Sequence, residues 1–315
     1  MKPITVLSLI AGLLVPSLSF GSALTQDQVA VLHWYEAANS KFDIGVDGAP
    51  NALAFDGTHM WVSTSTNKVI KIRAADGLMI LERPVGNTPR GMAFDGVSMW
   101  VANKGSNTVS RVEASDPSPV LTTINVGPGP EGVCFDGNNI WVTNSLSSTV
   151  TRISPTTLAV NGTFSVGIAP KGIATDGVSV WVANTSSNTV TKLRATDGLN
   201  EGTFNVGFGP TGIAYDGKGL WVTLQGANQV VHISKAGAII KTFPVGAVPN
   251  GVVFDGASIW VANSNAATVT KIGPAHNVAA VVIGTYPVGQ TPLGLAFDGS
   301  FVWSANSFDQ TISKK

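Results

Sequence analysis

The residues of this chain that are most suited to binding a charged ligand recur about forty positions apart. Arg90, Glu131 and Lys171 each stand between a proline and a glycine, and Lys104 follows the first of them closely. Basic side chains beside a carboxylate can bind an anionic or zwitterionic group through charge-assisted hydrogen bonds. The alternative is a solvated surface whose charges partly pair with one another. The elements that carry these residues therefore have to be identified.

Histidine and cysteine provide little support for catalysis or metal binding. Cys134 is the single cysteine, and it stands where other copies of a repeat have Ala or Val, so we expect a small buried residue rather than a reactive thiol. His232 replaces a Lys or Arg of the repeat. His33, His59 and His276 could meet as a metal site, but they are scattered and form no H-E-x-x-H or related motif. We predict no metal and no cofactor, and we favour a non-catalytic protein.

Seven copies of one pattern, P-x-G-(apolar)-(small)-x-D-G-x-x-(apolar)-W, carry the charged residues. The spacings between successive copies run from 39 to 43 residues, and Ala52 replaces the glycine of the first copy. A period near forty that persists seven times indicates a repeat architecture. The recurring residues are Pro50, Pro89, Pro130, Pro170, Pro210, Pro249 and Pro292; Asp56, Asp95, Asp136, Asp176, Asp216, Asp255 and Asp298; and Trp61, Trp100, Trp141, Trp181, Trp221, Trp260 and Trp303.

Each copy reads as four strands. In the second copy these are "GMAFD" (91–95), "MWVAN" (99–103), "TVSRV" (108–112) and a segment that ends in "NVG" (125–127). The Asp-Gly pair favours a tight hairpin between the first two strands. Both faces of the second strand are apolar, so both must be covered. Copies of about forty residues that cover one another predict an all-β, seven-bladed β-propeller with four-stranded antiparallel blades.

The two ends of the repeat predict how the ring closes. The last copy stops at Lys315, within its third strand, whereas "KFDIGVDGAPNALAFDG" (41–57) aligns with "EGTFNVGFGPTGIAYDG" (201–217). Residues 41–46 are thus a fourth strand without the first three. We predict that this N-terminal strand completes the last blade, which gives a propeller over 41–315 and covers two exposed sheet edges.

The residues before the propeller predict export. Lys2, the apolar run "VLSLIAGLLV" (6–15) and the small residues of "SFGSA" are typical of a cleaved signal peptide over 1–23. A membrane anchor is the alternative, but the apolar run is shorter than the roughly 20 residues that a span requires. Residues 24–40 then predict a short helix that begins with a T-x-x-Q capping box and carries Trp34. We therefore expect a periplasmic or secreted protein.

Composition excludes several classes of partner. Lys+Arg and Asp+Glu balance at 19 each, and charged residues make up only 12% of the chain. A neutral chain lacks the basic patch of a nucleic-acid-binding protein, and no later segment is a transmembrane candidate. We expect a monomer that binds a small molecule or a cell-envelope protein.

Residues that every copy shares are expected to hold the fold. The Asp-Gly pairs close hairpins, and the tryptophans fill the gaps between blades. A basic residue recurs in the third strand at Lys71, Arg111, Arg152, Lys192, His232, Lys271 and Lys314.

Binding is expected where the copies differ. In propellers, the connections from strand four to strand one and from strand two to strand three share one face, around the mouth of the central channel. The x of P-x-G should lie there, together with the singular residues Lys104, Gln225 and Phe308. The W-V-x-N positions Thr64, Asn103, Asn144, Asn184, Leu224, Asn263 and Asn306 are expected on the same face, with Asn favoured for left-handed backbone. The predicted site residues are Asn51, Arg90, Lys104, Glu131, Lys171, Thr211, Gln225, Asn250 and Leu293.

The pattern of Pro-x-Gly, Asp-Gly, W-V-x-N and S-N-T-V resembles the YVTN-repeat β-propeller family over residues 41–315. "PKGIATDGVSVWVAN" is also similar to the repeats of streptogramin (virginiamycin B) lyases, in which a W-F-T-E type segment stands in place of W-V-A-N. The glutamate of that segment is absent from all seven copies. From the predicted signal peptide and the unlike rim residues we expect an exported binding or scaffold protein that recognises its ligand or partner at the channel rim. The alternative is a lyase or hydrolase of the streptogramin B lyase type that acts at the same rim.

Overall fold

The computed structural model describes residues 42–115, 121–275 and 279–315. Within these ranges it contains strands β1–β28 and no helix. The predicted signal peptide (1–23) and helix (24–40, with Trp34) lie outside the described residues, as do His33 and His276. Residues 42–315 that are described form seven four-stranded antiparallel sheets, as predicted.

Each of blades 1 to 6 is built from four consecutive strands. Blades 1 and 2 comprise β2 (Pro50–Phe55), β3 (His59–Thr64), β4 (Lys68–Arg73), β5 (Met79–Pro84), β6 (Pro89–Phe94), β7 (Ser98–Asn103), β8 (Thr108–Glu113) and β9 (Leu121–Asn125). Blades 3 and 4 comprise β10 (Pro130–Phe135), β11 (Ile140–Asn144), β12 (Thr149–Ile153), β13 (Val160–Ser165), β14 (Pro170–Thr175), β15 (Ser179–Asn184), β16 (Thr189–Arg194) and β17 (Asn200–Asn205). Blades 5 and 6 comprise β18 (Pro210–Tyr215), β19 (Gly219–Leu224), β20 (Gln229–Ser234), β21 (Ile239–Pro244), β22 (Pro249–Phe254), β23 (Ile259–Asn263), β24 (Thr268–Gly273) and β25 (Val281–Pro287).

Blade 7 joins the two ends of the described chain. It contains β26 (Pro292–Phe297), β27 (Val302–Asn306), β28 (Thr311–Lys314) and, as its outer strand, β1 (Phe42–Gly45). β1 runs antiparallel to β28 with Ile44 opposite Ile312, and the amide of Val46 donates to the carbonyl of Gln310 over 2.9 Å. The N-terminal strand therefore occupies the place that the incomplete last repeat predicts.

The seven tryptophans of the repeat pack between the blades. All seven are buried, and Trp303 of blade 7, for example, shares a cluster with Leu53, Met60 and Val62 of blade 1. Each indole nitrogen donates to the aspartate of its own Asp-Gly turn, as Trp141 does to Asp136 Oδ2 over 2.6 Å. Each buried indole N–H group thus has a hydrogen-bond acceptor, as buried tryptophan usually requires.

The basic residue of the third strand lies opposite the tryptophan, and in blades 1, 3, 4, 6 and 7 its charged group lies over the indole ring. Lys271 Nζ, for example, is 4.8 Å from the ring centroid of Trp260. Lys71 and Lys314 also donate to a backbone carbonyl of the next blade, over 2.8 and 2.9 Å. These cations therefore stabilise contacts between blades, through cation–π attraction and through hydrogen bonds.

The glycines of P-x-G allow the first strands to meet around the centre of the ring. A Cβ atom added to Gly91 would lie 2.6 Å from the carbonyl oxygen of Glu131 in the next blade, and one added to Gly172 would overlap that of Thr211. Ala52, which replaces this glycine in blade 1, is paired differently: it lies opposite Ser63, whereas the other six first strands are bulged across that position.

Candidate functional site

The seven first strands surround one cavity at the centre of the ring. Its volume is about 370 Å³, and every blade contributes the residue between its proline and its glycine. Eight of the nine predicted site residues line this cavity, and their role in binding stays a prediction. The eight are Asn51, Arg90, Lys104, Glu131, Lys171, Thr211, Asn250 and Leu293.

Gln225 does not line the cavity, although it occupies the same position after the second strand as Lys104. Both residues donate a backbone N–H to the connection that enters their own blade, Lys104 to Thr88 O and Gln225 to Gly209 O. The lysine side chain is longer and reaches Glu131 in the next blade. Lys104 and Gln225 therefore occupy equivalent positions of the repeat, but differ in side-chain length and charge, and only the lysine lines the cavity.

The charges of the cavity are unevenly paired. Lys104 forms an ion pair with Glu131, whose side chain is 15% exposed. Arg90 donates from Nη1 to Asn51 Oδ1 over 3.1 Å, and its buried Nε–H has no acceptor among the described residues. Lys171 forms no side-chain hydrogen bond or ion pair within the described part of the chain. Three cations thus line a cavity with one carboxylate, and Lys171 keeps its ammonium donors for an anion.

Hydroxyl groups beneath the cavity fix the backbone of this mouth. Thr143 Oγ1 accepts from the amide of Gly132 over 2.8 Å and donates to the carbonyl of Lys171 in the next blade, also over 2.8 Å. Thr223 makes the equivalent bridge from Gly212 to Asn250, and Ser63 makes it from Ala52 to Arg90. Sequence reasoning missed these residues. The signal was present, since blades 1, 3 and 5 have Ser or Thr where blades 2, 4, 6 and 7 have Ala.

The W-V-x-N residues end their strands beside the mouth, but the predicted left-handed backbone is wrong and their side chains are buried. Asn103 is fully buried at the end of β7, and its Nδ2 donates to Thr108 and Ser110 of the adjacent strand. The side chains of a strand alternate between faces, so the asparagine shares the buried face of Val101. The same burial holds for Thr64, Asn144, Asn184, Leu224, Asn263 and Asn306.

Left-handed backbone occurs four residues later, in the turn between strands two and three. Asn107 has φ of 56° there, and its Oδ1 accepts from the amide of Gly129, just before the proline of blade 3. Asn67, Asn188 and Asn228 make the same link to Thr88, Gly209 and Val248. In these four blades the asparagine therefore ties the turn to the connection that enters the next blade.

The described histidines and the cysteine lie away from the mouth. His59 begins β3 beside Asp56, and His232 stacks on Trp221 with ring centroids 4.4 Å apart. Burial raises the pKa of the Cys134 thiol above its ordinary value, which confirms the expectation of an unreactive residue.

Two further observations concern metals and membranes. Across residues 42–115, 121–275 and 279–315, no three His, Cys, Asp or Glu side chains are grouped as metal ligands. In the same ranges, no helix has the length and apolar character that crossing a membrane requires.

Comparison with solved structures places the fold among known propellers. The chain superimposes on hydrazine synthase of Kuenenia stuttgartiensis with a TM-score of 0.75 and 17% identity, over 86% of this chain and 97% of that one. It superimposes on virginiamycin B lyase from Staphylococcus aureus with a TM-score of 0.74 and 18% identity, over 87% and 98%. A streptogramin B lyase gives a TM-score of 0.72 and 18% identity, over 87% and 96%.

These identities show a shared fold alone. No protein-family model matches the chain, and no curated protein sequence matches it. Its resemblance to the YVTN-repeat family therefore stays a prediction, whereas the seven-bladed propeller with structural neighbours among virginiamycin B lyases is established.

Proposed function

We propose that this protein is an exported, non-catalytic propeller, periplasmic or secreted, that binds the anionic group of a small molecule or of a cell-envelope protein at the mouth of its central channel. One observation carries the proposal. All seven blades contribute unlike residues to the cavity at the mouth, where Glu131 is the one carboxylate beside Arg90, Lys104 and Lys171. If these positions served only the fold, the same residue type would suffice in every blade. An excess of cations in a concave site favours the binding of anions.

A panel of ligands tests this proposal through thermal stability. A ligand that binds only the folded protein raises its melting temperature by mass action. We expect acetate, citrate or phosphate to raise it in the parent protein, and to raise it much less in Lys171→Gln. Ethanol and tetramethylammonium serve as neutral and cationic controls at the same ionic strength. Equal shifts with the anions and with the controls would rule out an anion site at the mouth.

A lyase or hydrolase of the streptogramin B lyase type, acting at the same rim, is the second candidate. The structural likeness to virginiamycin B lyase favours it. One solved structure of that enzyme is a catalytically inactive histidine-to-alanine variant with quinupristin, whereas neither described histidine of the present chain, His59 or His232, lines the mouth. Opening of a cyclic depsipeptide lactone by the purified protein, abolished in Glu131→Ala, would establish this function in place of binding alone.

A further inference from the structure

The face around the mouth carries an apolar arc that the charged cavity does not explain. Leu146, Ile168 and Phe208, which we call the apolar arc, are 73%, 61% and 65% exposed. They belong to blades 3, 4 and 5, whose first strands are neighbours in the ring. Three consecutive blades thus each present one large exposed apolar side chain on the face of the mouth, and such an accumulation favours a binding surface.

The arc arises at one structural position. In blades 2 to 7, the turn between strands two and three donates a backbone hydrogen bond to the connection that enters the same blade. In blades 3, 4 and 5 these bonds are Leu146 to Pro128, Ser186 to Ile168 and Gly226 to Phe208, each 3.2 Å long. In each of these three hydrogen-bonded pairs of residues, one residue therefore has a large apolar side chain. The corresponding pairs in blades 2 and 6 hold Gly105 with Asn87 and Asn265 with Ala247.

One charge without a partner among the described residues is close in sequence to the arc. Lys171 follows Ile168 by three residues and lines the cavity without a partner among the described residues. Glu131, in the neighbouring blade, is already paired with Lys104. The turns and connections that carry the arc contain no other charged residue between 126 and 129, 145 and 148, 166 and 169, 185 and 188, 206 and 209, or 225 and 228.

We propose that the ligand is an amphipathic organic anion, a carboxylate attached to an aliphatic or aromatic group. Its carboxylate pairs with Lys171 inside the mouth, and its apolar part covers Ile168, Phe208 and Leu146. This inference rests on the function proposed above and specifies the chemical class of the ligand. Charge complementarity selects the anion, and burial of the arc supplies affinity that a small anion cannot obtain.

The chain provides a matched control for the arc. Phe308 is 72% exposed and occupies in blade 7 the same turn position as Leu146 in blade 3. It stands apart from the arc, and the next residue is Asp309, whose carboxylate accepts from the amide of Gln290. Phe308→Ser removes as much exposed apolar surface as Phe208→Ser does, but from a place where a carboxylate is already present.

The experiment is isothermal titration of the full chain with decanoate, acetate and decanol. We expect decanoate to bind at least about tenfold more tightly than acetate, a gain that burial of about two methylene groups supplies. Phe208→Ser and Ile168→Ser should remove most of that gain, whereas Phe308→Ser should not. Lys171→Gln should weaken the binding of decanoate and of acetate alike. Lys218→Gln changes an exposed turn after Asp216 and should weaken the binding of neither.

The outcomes separate this inference from the proposed function. If acetate binding depends on Lys171 but decanoate binds no more tightly than acetate, the apolar arc is not part of the site and only this inference fails. If decanol binds as tightly as decanoate, or if Phe308→Ser acts like Phe208→Ser, the inference is likewise wrong. If neither anion binds, the anion site at the mouth is itself wrong.

Discussion

Lys104 and Glu131 come from neighbouring blades and form an ion pair at the edge of the central cavity. The pair neutralises the one carboxylate of the cavity. Arg90 and Lys171 therefore line the cavity with N–H groups that have no acceptor among the described residues. The electrostatic character of the mouth therefore depends on a contact between two blades.

Replacing the carboxylate of this pair should strengthen anion binding. Glu131→Gln keeps the shape of the side chain, removes its charge and releases Lys104. We expect citrate affinity to rise about twofold to fivefold at low salt, which corresponds to the modest energy of a partly exposed ion pair. Isothermal titration measures it, with Glu113→Gln, a carboxylate on β8 near Arg111, as the control. An unchanged affinity in Glu131→Gln would mean that this pair does not govern the mouth.

Because the first strands approach one another closely, adding a single methyl group between them should lower the free energy of unfolding. Gly172→Ala places its Cβ against the carbonyl of Thr211 in the next blade, so the ring has to expand there. We expect unfolding free energy to fall by about 1–3 kcal/mol, the usual cost of overpacking. Gly45→Ala, in β1, meets nothing within 4 Å and should be neutral or slightly stabilising. Urea denaturation compares the two, and equal effects would contradict this account of the repeated glycine.

Ring closure by β1 predicts that its removal has more than a local effect. A chain that begins at Asp47 lacks the partner of β28 and exposes that edge, together with the face of blade 7. We expect loss of cooperative unfolding, or aggregation, in calorimetry and light scattering. A chain that begins at Lys41 keeps β1 and is the matched control. Equal melting temperatures for the two chains would show that β1 does not stabilise the ring.

Asp176 predicts part of the response to acid. Burial acts to raise the pKa of its carboxyl, but hydrogen bonds from the amides of Ser179 and Val178, the indole of Trp181 and the charge of Lys235 outweigh burial and hold the pKa below its ordinary value. The ionised carboxylate therefore contributes stability above the unfolded value of about 3.9, and this contribution is lost as pH falls through the folded pKa.

The variant Asp176→Asn cannot lose that contribution. Its unfolding free energy should change less than that of the parent between about pH 5 and pH 2.5, and it should be lower than that of the parent at pH 7. Urea denaturation across this range measures both. A variant with the full acid sensitivity of the parent would show that this turn does not contribute to the pH dependence.

The features that sequence predicts well are those that recur. Proline, aspartate and tryptophan at fixed offsets predict blade number, strand order and the inter-blade position of residues such as Trp181, because each copy repeats the same physical requirement. The missing fourth strand after Lys315 similarly predicts the pairing of β1 with β28. Pro-x-Gly places Arg90 and Lys171 at the mouth for the same reason.

The features that sequence predicts poorly depend on side-chain direction and length. Asn103 is buried because strand alternation puts it on the face of Val101, whereas its position at the end of a strand suggested a turn residue with left-handed backbone. Lys104 reaches the cavity whereas Gln225, at the same position of another copy, does not. The apolar arc was missed because Leu146 comes from a turn whereas Ile168 and Phe208 come from connections, and only the backbone hydrogen bonds show that these positions are adjacent.

Citrate binding by Arg90→Ala/Lys171→Ala, measured together with thermal denaturation, tests the central claim most directly. That claim is that the unlike residues of Pro-x-Gly bind an anion while the repeated residues hold the ring. We predict that the parent binds citrate more tightly at about 20 mM than at about 300 mM salt, since charge contacts are screened. The double variant should bind at least about tenfold more weakly and should lose only a little stability, because half-buried Arg90 gives up its hydrogen bond to Asn51. Trp181→Ala should instead lower stability by about 3–5 kcal/mol. Equal citrate affinity in the parent and the double variant would contradict the claim.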